Sequence, residues 1–156
     1  LKRNETMKRN ANYLTDAERQ RLIDLLFAEK CSCVIRNGDT TRIFRERGVK
    51  DLYRLLDEEP EFLDGAFVAD KVVGKGAAAL MILGGVGELF ADIISLPARR
   101  LLAASPVRVN YTLEVPYIVN RTRTGQCPVE TLCRNCVTAE EALPLIRGFI
   151  EGQKQK

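Results

Sequence analysis

Strands alternating with helices predict an α/β fold for this 156-residue chain. Three observations carry the prediction. A capped helix precedes an Asn-Gly hairpin. A short continuous apolar run, the mark of a strand covered on both faces, follows a helix-period segment. Glycine and proline then punctuate three more helical stretches. The implied architecture is three-layer α/β/α, with a mostly parallel five-stranded mixed sheet and one antiparallel edge from the N-terminal hairpin.

The elements follow in order. Thr15-Asp16-Ala17-Glu18 is a capping box and opens a helix carrying Leu22, Ile23, Leu25, Leu26 and Phe27. A strand over Cys31 to Arg36 meets Asn37-Gly38, whose residues suit the positive φ angles of a tight hairpin, and Thr41 to Phe44 returns. Leu52, Leu55 and Leu56 place a helix after Gly48, and Pro60 is expected to stop it. Ala66 to Asp70, with Val72 and Val73, is the buried strand. Gly74-Lys75-Gly76 leads into a helix expected over Ala77 to Phe90, with Ile93 to Leu96 as the next strand. Pro97 suits the first turn of a helix that ends near Ser105-Pro106. Val107, Val109, Tyr111, Leu113 and Val115 alternate with polar residues as a half-buried strand, and Thr138 to Glu141 is a second capping box opening the last helix.

Length and composition place residues 15–156 in one domain that builds its own core, behind a basic N-terminal tail over 1–14. Lys2, Arg3, Lys8 and Arg9 stand there against Glu5, which accounts for the whole net charge of +3 and leaves the domain neutral. A neutral domain lacks the basic surface that nucleic-acid binding requires, so no nucleic-acid partner is expected. No apolar run is long enough to span a membrane, and a charged start with no apolar stretch behind it sets the expectation of no secretory leader. Five cysteines, an odd number, argue for reduced thiols and a cytoplasmic setting. The absence of histidine removes the usual neutral-pH base, the Ser-His-Asp triad and every His-dependent metal motif.

Three constellations could carry chemistry. The helix starts after Gly48 and Gly74 lie where open α/β sheets hold ligands, and their free amides attract anions. Asp70, Lys71, Gly74 and Lys75 are the candidate ligand-binding residues for a small anionic, nucleotide-like molecule. A solvent-facing Lys75 on a merely tight turn is the alternative. In Cys127-Pro128-Val129-Glu130, proline at a first helical turn puts Cys127 near an N-cap, where a thiol ionises more easily. Cys127 and Glu130 are the candidate catalytic pair, with Asn120 and Arg121 as ligand contacts, against a purely structural corner in which Glu130 caps amides. Cys133-x-x-Cys136 has half-site spacing, and Cys31 and Cys33, two apart on a strand, would face the same way. A thiolate metal or redox protein is the second reading, although buried free cysteines explain the same residues and no metal ligand is assigned. Gly84, Gly85 and Gly87 either admit a partner in a homo-oligomer or end their helix.

The element order, and the motifs Asp70-Lys71, Gly74-Lys75, Asn120-Arg121 and Cys127-Pro128-Val129-Glu130, resemble the cytidine deaminase-like superfamily, in particular a zinc-less branch of small prokaryotic domains of unknown function. The resemblance covers about residues 15 to 136 and departs at Gly76, where that branch has Ala, and in the extra downstream cysteines. In zinc-bearing relatives a His/Cys-x-Glu motif and a Pro-Cys-x-x-Cys motif open the two central helices. Here those places read Gly48-Val49-Lys50-Asp51 and Val73-Gly74-Lys75-Gly76. The resemblance therefore implies the deaminase fold without zinc-dependent deamination, since no metal would activate the water. It implies no reaction of its own, and whether the chain is an enzyme stays open.

Overall fold

The computed structural model describes residues 14–46, 48–119 and 127–154, the last without its side chain. The tail over 1–13, and Asn120, Arg121 and Gly125, lie outside the described residues.

Helix α1 spans Asp16–Ala28, strand β1 Cys33–Asn37 and β2 Thr40–Phe44. Helices α2, Lys50–Glu58, and α3, Pro60–Leu63, lead to β3, Phe67–Val73. Then come α4, Lys75–Gly84; β4, Glu88–Ser95; α5, Leu96–Ala103; β5, Arg108–Val115; α6, Pro128–Leu132; and α7, Ala139–Lys154. The five strands form one mixed sheet in the order β2-β1-β3-β4-β5. The hairpin is antiparallel within itself and to β3, whereas β3, β4 and β5 run parallel. β5 forms the edge.

Helices cover both faces. On one, Leu22 and Leu26 of α1 pack on Val34, Phe67 and Ala69. On the other, α2, α4 and α5 bury Leu55, Leu80 and Leu102 against Ile35, Val68 and Leu89. α7 packs along α4 and adds Ala142, Ile146 and Ile150 to the same core.

Local chemistry explains the boundaries. The Thr15–Glu18 box closes in both directions and starts α1. Pro60 opens α3 rather than only ending α2, because proline at a first turn lacks only an amide that would have no helical partner. The helix expected to reach Phe90 ends at Gly84. Gly85 turns left-handed at φ 76°, and the Val86 amide reaches back to the Met81 carbonyl. That early stop lets β4 begin at Glu88, ahead of the expected Ile93. Cys31 lies before β1, not in it.

Glu88 is buried at the amino end of β4 and binds Arg19 of α1, its Oε1 accepting from Nη2 at 3.1 Å. This bond fixes the start of α1 against the sheet and leaves the opposite, carboxyl ends of β3 and β4 to the helix starts that follow them.

A candidate functional site at the carboxyl ends of β3 and β4

The starts of α4 and α5 meet at Glu130. Its carboxylate is buried and accepts three hydrogen bonds. The Lys75 amide donates to Oε2 at 2.9 Å, the Ser95 hydroxyl to the same oxygen at 2.6 Å, and the Ile118 amide to Oε1 at 2.7 Å. Ser95, fully buried, is also the N-cap of α5 and accepts from the Ala98 amide at 3.2 Å. One carboxylate thus sits at the first turns of two helices, where free amides and the helix dipole favour negative charge. The amide of Lys75, expected to face an anionic ligand, faces the chain's own carboxylate.

The glycines of this corner follow from that approach. A Cβ on Gly74 would lie 2.9 Å from Glu130 Oε2, and one on Gly76 would overlap Val129. Gly74 and Gly76 make room for α6.

Lys75 is buried rather than solvent-facing. Its ammonium donates to the Arg134 carbonyl at 3.0 Å and to the Cys136 carbonyl, so it holds the turn that follows α6. Lys75 and Glu130 are brought together through backbone and carboxylate, with the Lys75 side chain directed to α6's far end.

Asp70 lies apart from this clamp. It pairs in register with Cys33 across β3 and β1, and both are buried. Its carboxylate accepts from the Val72 amide at 3.3 Å, while the Lys71 amide goes to the Ser32 carbonyl at 3.1 Å. Burial pushes the Asp70 carboxyl up to about 7, opposed only by backbone N–H groups. Burial also raises the Cys33 thiol well above its ordinary value, with the charges of Asp70 and Asp51 adding to the effect. Asp51, buried in the first turn of α2, accepts from the Glu46 amide at 3.1 Å and pairs with Arg54 at 3.0 Å. Cys33, Asp51 and Asp70 therefore share one electrostatic neighbourhood between the starts of α2 and α4. Lys71, the next residue along β3, is half-buried.

Sequence reasoning missed Ser95 and Asp51, and it read Cys33 as a possible metal thiolate rather than as the neighbour of Asp70. Ser95-Leu96-Pro97 carried a readable signal, a serine cap ahead of proline in the first turn. Cys33 and Asp51 have no local signal; only the fold joins them.

The expected grouping of Cys31 and Cys33 with the downstream pair is corrected. Cys31 packs on the α1 face and Cys33 on the opposite face, because Cys31 precedes the strand and escapes its alternation. Cys127 is half-buried at the N-cap of α6, and its amide donates to the Ile118 carbonyl at 2.7 Å. All five thiols are free. Among the described residues no group of three or more His, Cys, Asp or Glu side chains could hold a metal ion. The starts of α2 and α4, which only the deaminase-like resemblance would make zinc positions, present Val49, Lys50 and Asp51, and Gly74, Lys75 and Gly76, with the Lys75 amide already bound to Glu130. These residues do not fit the metal. Among the described residues no helix is long and apolar enough to cross a membrane.

Comparison with known proteins agrees with this architecture. The model of a family described as a domain of unknown function, DUF1893 (TM1506), matches residues 21–150. The crystal structure of a DUF1893 family protein from Thermotoga maritima superposes with a TM-score of 0.79 at 21% identity, covering 88% of this chain and 93% of that one. At that identity the likeness speaks for the fold alone. No curated protein matches the sequence.

Proposed function

Because the chain belongs to the DUF1893 family, whose description assigns no activity, we propose a function from its own residues: a small-molecule-binding domain on a deaminase-like fold that does not use zinc. The ligand sits at the carboxyl ends of β3 and β4, between the starts of α2 and α4. It is nucleotide-like, with a polar heterocycle edge against Asp70 and an anionic part for which Lys71 is the described candidate; Asn120 and Arg121, outside the described residues, are kept as contacts on the sequence alone.

The observation that carries this reading is Asp70. A buried carboxyl with no cationic partner behind its shift is costly to a fold, and such groups concentrate where ligands are handled. At about 7 it is available near neutral pH both as a donor and as an acceptor, which suits the mixed edge of a heterocycle. The position also supports it, since ligands of open α/β sheets bind beyond the carboxyl ends of the strands. Glu130 enters as the anchor of the wall rather than as an open anion receptor. In the enzymatic form of this reading Cys127 is the nucleophile, and a thiol-reactivity profile tests that step.

The test compares the native and denatured masses of gently purified protein, followed by thermal-shift titration with nucleoside 5′-monophosphates, nucleosides and inorganic phosphate. Excess native mass of a nucleotide, or a nucleoside monophosphate that raises Tm in the wild type and not in Asp70→Asn, supports the reading. No excess mass and no shift with any of the three classes overturns it.

A further inference from the structure

The clamp leaves two thiols unused. Cys133 closes α6 and Cys136 follows it in a turn, the Cys136 amide donating to the Cys133 carbonyl at 3.0 Å. A turn bonded across four residues brings its end Cα atoms within about 7 Å. Disulfides usually span about 4.4–6.8 Å. Both thiols belong to the main core, Cys133 fully buried and Cys136 9% exposed. The Lys75 ammonium holds the Arg134 and Cys136 carbonyls, so the backbone of this turn is fixed from α4.

We propose that Cys133 and Cys136 form a dithiol–disulfide switch that locks or releases the turn anchoring α6. Spacing and a backbone-bonded turn pre-organise the pair, and the turn joins the same α4 residue that Glu130 clamps.

The step balances with a dialkyl disulfide of the glutathione class as oxidant. The Cys136 thiolate, the more accessible sulfur, attacks the reagent and displaces one thiol. The Cys133 thiolate then attacks the Cys136 sulfur, forms the protein disulfide and displaces the second thiol. Two electrons reduce the reagent, and the two cysteine protons end on the two thiols released. Burial pushes the Cys133 thiol up to about 11, which makes it the resolving and not the attacking sulfur.

The test equilibrates the whole chain across glutathione redox buffers, folded and in concentrated urea, followed by acid quench, alkylation and tryptic mapping. Arg134 lies between the two cysteines, so trypsin cuts there and only a disulfide keeps the two peptides joined. Fragmentation distinguishes Cys133 from Cys127 on the upstream peptide. The switch predicts a Cys133–Cys136 link that forms at about tenfold less oxidising buffer in the folded protein than in urea, equivalent to about 30 mV for a two-electron couple. A link to Cys127, five alkylatable thiols throughout, or no preference for the folded state overturns it.

Discussion

The Glu130 carboxylate and the Lys75 amide meet at 2.9 Å, 55 residues apart in sequence, and join α6 to the start of α4. Ser95 and Ile118 complete the set of donors, so α4, α5 and the segment after β5 converge on one side chain. Removing the carboxylate leaves three donors unpaired in a buried corner. Glu130→Ala is expected to cost about 3–5 kcal/mol, since each orphaned buried donor costs about 1–3 kcal/mol and their losses overlap. Glu130→Gln keeps one oxygen acceptor and costs less. Urea unfolding of the three proteins checks the order.

Ser95 acts twice, as the cap of α5 and as a donor to Glu130. Ser95→Ala should cost about 1–2 kcal/mol, the range for a lost cap. In combination with Glu130→Ala the two losses should fall short of additive, because the first change already breaks the shared bond. A double-mutant cycle in urea measures this.

Gly76 faces Val129 with no room for a methyl group. In an open helix Gly→Ala would stabilise by about 1 kcal/mol. Here Gly76→Ala should destabilise by about 1–3 kcal/mol, the cost of overpacking a filled core. The thermal midpoint gives the sign.

Asp70 makes stability depend on pH. Its folded value of about 7 lies above the ordinary 3.8, so the folded state holds the proton more tightly than the unfolded one. The stabilising contribution is complete below about pH 4 and is lost as pH rises through 7. A gap near three units amounts to a few kcal/mol, on the order of 3–4. Asp70→Asn should flatten the stability profile between pH 4.5 and 8, by about that amount at the alkaline end. Chemical denaturation of both proteins across that range checks it.

The fold was legible because its signals are local. The Thr15 box, Asn37-Gly38 and the apolar run over Ala66–Ala69 each specify their own element, and the topology follows from their alternation. The α4 end was not, because Ala77–Val86 is apolar on every side and its periodicity carries no boundary; Gly85 decided it through backbone conformation. The candidate site was legible only in part. Glycines at 74 and 76 marked a close approach, but what approaches is α6, more than fifty residues downstream. The charge of Lys75 suggested a ligand, while the fold spends it on two carbonyls. Asp70 gained its significance from burial opposite Cys33, a register no local pattern encodes.

Amide hydrogen exchange of wild type and Glu130→Ala, resolved to single residues, tests most directly whether Glu130 is the anchor on which the site is built. The account predicts faster exchange at Lys75 and Ile118, the two amides that donate to the carboxylate, with Val68 and Leu89 in the central strands unchanged. Unchanged protection at Lys75 and Ile118 would contradict it and leave the starts of α4 and α5 held by something other than Glu130.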